Sequence, residues 1–194
     1  MKIKKYSAVY RLIHWSIAIC MFLLLITIFL RLTWMNKNNV AEIIQNYLST
    51  TDQSLTQDQL ILLAKKIRQP MWDWHIYLGY VLTGLFGLRF ILPFFGEMKF
   101  QNPFKKELLL KEKFQNFVYL VFYGCVVISL STGLLIKFGP STIKMEMQNI
   151  HVHSIYYLVA FIILYISGVL WSEFTDQKGI ISKIVSANKK AVKI

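Results

Sequence analysis

RLIHWSIAICMFLLLITIFLRL, from Arg11 to Leu32, is the stretch whose reading decides the fold. Beyond His14 it is a predominantly apolar run, free of charged residues until Arg31. A bilayer hydrocarbon core of about 30 Å needs roughly 20 such residues in a helix. Three further stretches reach that length, so the spans fall at 10–32, 73–95, 114–137 and 150–172. The implied class is all-α, an integral membrane four-helix bundle. Composition agrees: 55% of the 194 residues are hydrophobic and 15% aromatic, with a mean hydropathy of +0.46. A soluble domain of this length could not bury so much apolar surface. The first run follows Lys2, Lys4 and Lys5, is long enough to span, and lacks a small-x-small cleavage site, so it is expected to stay as a helix rather than leave as a signal peptide.

Between the first two spans, residues 33–71 are too polar to cross a membrane. Asn39 followed by Glu42, and Thr56 followed by Gln59, fit capping boxes ahead of two amphipathic runs. The second run, DQLILLAKKIRQP, is expected to stop at Pro70. The pattern predicts a small helical hairpin on the periplasmic side, lying over the membrane surface. Arg89 interrupts the second span within WHIYLGYVLTGLFGLRFILPFF. An arginine at that depth either meets an anion, such as a propionate or a lipid headgroup, or snorkels to the interface.

The formal net charge of +12 comes from basic residues scattered between apolar segments, which argues against nucleic acid and for topology signals. Lys2, Lys4, Lys5, Arg11, Arg89, Lys99, Lys105, Lys106, Lys111, Lys113, Lys178, Lys183, Lys189, Lys190 and Lys193 fall on one side, 15 of 22. The expected topology is multi-pass in a bacterial inner membrane, both termini and the tail 173–194 being cytoplasmic. Cys20 and Cys125 lie inside apolar runs and read as packing residues. Trp15, Trp72, Trp74 and Trp171 read as an interfacial aromatic belt.

The chemistry rests on four histidines, His14, His75, His151 and His153. Ionisable side chains in a span are costly and mark function. His75 and His151 stand near the starts of the second and fourth spans, which both begin from the face opposite to His14, so they share one membrane level. Two neutral imidazoles from separate helices can grip a flat macrocycle from both sides, giving low-spin six-coordinate iron that passes electrons. His153 competes with His151: two residues on a helix are about 200° apart, so one of them faces inward, and the pattern leaves open which. Gly79, Gly84, Gly87, Gly124, Gly133 and Gly168 thin the helices, as glycine also does in ordinary membrane packing. Asp73, beside His75, reads as a helix-start charge before a second-shell acceptor.

RLIHW at Arg11–Trp15, PMWDWHIYLGY at Pro70–Tyr80, IHVHSIYYL at Ile150–Leu158 and ISGVLWSE followed by DQKGIISKI together resemble the prokaryotic cytochrome b561 family, including its branch with a long first periplasmic loop. The resemblance implies a membrane cytochrome b with haem b cofactors that moves electrons between quinone and a redox partner or oxidant. It implies that His75 and His151 ligate the haem nearer the periplasm and that His14 is one ligand of a haem nearer the cytoplasm, with Arg11 of the RLIHW element among the cofactor-binding residues. In the family the second inner ligand lies 14 residues after the first histidine of the fourth span; here that residue is Tyr165. Fourteen residues return a helix to within about 40° of the same face, so Tyr165 points where an inner ligand would. Phenolate binds ferrous iron poorly. The expectation is therefore one outer haem, with a degraded or five-coordinate inner site. Two further readings are a cytochrome b subunit that anchors a dehydrogenase or hydrogenase, and a haem-depleted scaffold of the same fold, for which Tyr165 is the best support. There is no HExxH, no GxSxG and no row of buried acids for a protease or a transporter.

Overall fold

The computed structural model describes residues 7–96, 102, 104 and 108–175, apart from the side chains of 172, 173 and 175. The regular elements among these residues are all helical: α1 (Ala8–Leu32), α2 (Lys37–Ser49), α3 (Gln57–Ile67), α4 (Gln69–Ile91), α5 (Leu110–Phe138), α6 (Lys144–Val152) and α7 (Ser154–Thr175), with two short 3-10 turns. Among the described residues, four segments are long and apolar enough to cross a membrane, Ala8–Leu32, Gln69–Phe95, Leu110–Phe138 and Ser141–Trp171. Helices suit that solvent because every backbone polar group is satisfied within the segment. Leu12, Phe22, Phe29, Ile163 and Trp171 remain exposed on the protein, as side chains meeting hydrocarbon do. The all-α membrane bundle is thus the fold.

Contacts divide the chain into two compact units, Met1–Trp15 with Leu88–Ile194, and Ser16–Gly87. In the second unit α1 and α4 pair through Cys20, whose thiol donates to Leu78 O at 3.2 Å, with Leu82 and Phe86 buried beside them. The packing role of Cys20 follows from its small volume at this helix crossing. In the first unit α5 and α7 pair through the stacked rings of Phe122 and Phe161, 3.5 Å between centroids and 12° between planes. Val126 is almost fully buried there.

The polar segment forms the expected hairpin. Ala41, Leu60 and Ala64 make its small core, flanked by Val40, Ile44, Leu48 and Ile61. Thr56 and Gln59 form the expected capping box. The other cap differs. α2 starts at Lys37 with Asn36 as its N-cap, and Asn39, already one turn inside, donates instead to Thr33 O. Pro70 also differs, because it sits in the first turn of α4, where its missing N–H has no helical partner to lose. The second span therefore begins four residues before the expected 73. The largest departure is at the fourth span. A break at His153 separates α6 from α7, so His151 sits in the last turn of a short helix rather than in the first turn of a long one.

Candidate cofactor site

His75 is the seventh residue of α4, and its Nδ1 lies 2.8 Å from Thr27 Oγ1 of α1. Thr27 donates its single hydroxyl hydrogen to Leu24 O at 2.6 Å in its own helix. A hydroxyl has one proton; directed at Leu24 O, it leaves Thr27 as the acceptor towards the ring and places the His75 proton on Nδ1.

His151 reaches the same state in the other unit by different means. Its Nδ1 lies 3.0 Å from Ser129 O and 3.1 Å from Thr132 Oγ1, both on α5. A carbonyl oxygen only accepts, and the Thr132 hydrogen is directed at Ile128 O or Ser129 O of its own helix. The proton is again on Nδ1 and the lone pair on Nε2. Gly133 makes the approach possible, since a β-carbon there would stand 3.2 Å from His151 Cε1. His153 caps α6; it is exposed and its Nδ1 pairs with Asn149 O of its own helix at 2.7 Å. Two positions apart, the histidines thus face opposite ways, His151 onto α5 and His153 away from it.

Thr27, Arg89, Ser129 and Thr132 are the buried polar residues among the described ones. Three of the four contact a histidine Nδ1. Sequence reading missed them because it looked for ionisable groups. A signal was nevertheless there: Thr27 lies five residues before the end of α1, close to the six by which His75 follows the start of α4, and Thr132 lies six before the end of α5. Trp72, read as part of the aromatic belt, also packs on these groups. It is half-buried, edge-on to His75 at 5.5 Å, and under the Arg31 guanidinium at 4.9 Å. Asp73 accepts from Gln69 Nε2 at 2.9 Å; because α4 begins at Gln69, it lies beyond the first turn, which carries no acid, and is not the expected helix-start charge.

The third histidine has a different setting. His14 lies in α1 one turn after the half-buried Arg11, and no hydrogen bond to its ring is found among the described residues. Its neighbours are rings: Tyr10 stacked at 6.2 Å, Trp15 edge-on at 6.1 Å and Tyr165 tilted by 47° at 6.5 Å. Tyr165 itself stacks on Phe161 and meets Tyr119 edge-on. His14 and Tyr165 are therefore brought together. Arg89 is close enough to act electrostatically on His14. Its side chain does not snorkel; it is 6% exposed, with Nε donating to Tyr123 OH at 3.3 Å and the guanidinium over the Tyr123 ring.

The donor set fits haem better than a bare ion. No group of three or more His, Cys, Asp or Glu residues that could hold a metal occurs among the described residues, whereas iron already held by a porphyrin asks the protein for only one or two ligands. Neutral imidazole with Nδ1–H fixed by a carbonyl or hydroxyl is how metal-ligating histidine is oriented. Fold and donors together define a multi-pass helical membrane protein of the cytochrome b class. The family model for prokaryotic cytochrome b561 matches residues 5–187, and the chain belongs to that family. It is a bacterial membrane protein of haem b electron transfer. No curated protein and no solved structure matches it.

Proposed function

We propose that His75 and His151 are the two axial ligands of a single haem b, and that the chain passes electrons between membrane quinone and a redox partner or oxidant on the periplasmic side. One observation carries the reading: each imidazole turns Nδ1 to an oxygen of a neighbouring helix, 2.8 Å to Thr27 Oγ1 for His75 and 3.0 Å to Ser129 O for His151, the arrangement by which a histidine that ligates a metal through Nε2 is oriented. Bound there, haem supplies a one-electron ferric/ferrous couple. The protein's part is to keep both rings neutral, oriented and basic. A Nδ1–H that donates to a carbonyl or hydroxyl lends the ring electron density and strengthens it as a ligand.

His14 belongs to a lesser site. Its partner across the helix pair is a phenol, which favours ferric iron and weakens ferrous binding, and Arg11, one turn before His14 in α1, is the further cofactor-binding residue that the resemblance implies. The orientation proposed from the basic residues, with cytoplasmic termini and a periplasmic hairpin, puts His75 and His151 towards the periplasm.

The test is the haem content and reduced-minus-oxidised spectrum of purified protein. One haem per chain is expected, lost in His75→Ala and in His151→Ala and kept in His14→Ala. Protein that stays colourless when supplied with porphyrin iron would refute the reading, and two haems per chain would refute the single-site part of it.

A further inference from the structure

Ser129 holds the segment around His151 at two points. Its carbonyl accepts from the ring Nδ1, and its hydroxyl belongs to a second network on the same stretch of chain. Tyr157 OH donates to Ser129 Oγ at 2.7 Å, and Ser129 Oγ is hydrogen-bonded to Ser154 Oγ. Ser154 is the first residue of α7, three positions after His151 and directly after the break. The same residue of α5 therefore holds the segment carrying the ligand by two points, ring to carbonyl and hydroxyl to hydroxyl. Tyr157, one turn further along α7, adds a third. Three hydroxyls gathered in a span are costly unless each is satisfied, and here each satisfies another.

We infer that Tyr157 and Ser154 are positioning residues for His151, acting through Ser129 to fix the height and plane of the imidazole. This rests on the haem reading above. The proton count explains why the tyrosine matters. With Tyr157 donating, one lone pair of Ser129 Oγ is taken and its own hydrogen is directed at Ser154, or Ser154 donates to it. Without the phenol, the Ser129 hydroxyl turns back towards a carbonyl of its own helix, the alternative open to serine in any helix. The corner between α6 and α7 then loses its pin, and the bond from His151 Nδ1 to Ser129 O lengthens. A longer bond makes the imidazole a poorer electron donor, which favours ferrous over ferric iron.

Tyr157→Phe removes one oxygen and keeps the ring packed edge-on against Phe122, 6.2 Å away. The expected result is full haem content, a midpoint potential raised by up to about 59 mV, equivalent to a tenfold change in the one-electron equilibrium, and a shifted low-spin resonance reporting a rotated ligand plane. Ser154→Ala should move both readouts the same way by less, and it decides the matter if the phenylalanine variant does not accumulate. Wild-type potential and resonance in a folded Tyr157→Phe protein, or in Ser154→Ala where that alone is obtained, would overturn the positioning role while leaving the ligand assignment intact. Wild-type protein without haem would overturn both, and the haem content alone separates the two failures.

Discussion

His151 and His14 are both half-buried imidazoles in one compact unit, yet they are held by different forces. The first is held by hydrogen bonds from Nδ1 to a carbonyl and a threonine hydroxyl, the second by aromatic rings on three sides. Stacking fixes a ring's plane but is indifferent to which nitrogen carries the proton. A carbonyl acceptor settles the tautomer, and with it which atom offers a lone pair. On the proposed reading, that difference separates the ligand His151 from the lesser site at His14, and His75, with Nδ1 on Thr27 Oγ1, sides with His151.

The sharpest way to break the comparison is to give His14 the partner it lacks. In Tyr165→His the new imidazole would take the place of a ring now 6.5 Å from His14, and neutral imidazole binds both iron oxidation states where phenolate does not. Haem per chain, assayed against protein concentration, should rise from one to two, with a second step in the redox titration. Content unchanged at one, in a folded variant, would show that the setting of His14, rather than residue 165, disables the inner site.

The next effect is smaller and probes the side of His75 and His151. Thr27→Val is nearly isosteric and removes the acceptor of the His75 Nδ1–H. Loss of such an outer partner usually costs 10–100-fold in affinity, so haem should be released that much more readily to an apoprotein acceptor such as apomyoglobin. Thr132→Val should cost less than tenfold, because the Ser129 carbonyl remains on the His151 ring. Equal and negligible changes in the two would mean that the threonines only stabilise their helices.

How much of this could be read beforehand follows from which forces act locally. Span positions, the hairpin and the Thr56 cap depend on runs of residues close in sequence, and they were legible. Even there, Pro70 was read as a stop when it opens α4, because proline suits both the residue after one helix and the first turn of the next. The break at His153 was not legible: IHVHSIYYL carries neither glycine nor proline, and the corner is maintained by contacts between α6 or α7 and a distant part of the chain, Ser129. The proton positions were hidden for the same reason, since Thr27 and His75 are 48 residues apart. The resemblance supplied the histidines; the surroundings that make two of them ligand-like are tertiary.

The smallest expected effect comes from His153, and its value lies in being small. Sequence spacing leaves His151 and His153 as equal rivals. In the folded chain His153 is exposed, and its Nδ1 is engaged by Asn149 O one turn back, a bond that helps close the end of α6. Replacing it with alanine removes a solvent-facing ring and leaves the backbone bond from His153 N to Ile150 O in place. The stability change should stay within about 0.5 kcal/mol, as for most surface substitutions, and haem content and spectrum should match wild type. Haem lost in His153→Ala but kept in His151→Ala would mean that the corner between α6 and α7 is rotated by about two residues in the loaded protein. The carbonyl of Ser129 would then be holding the wrong ring, and the contrast with His14 would lose its physical basis.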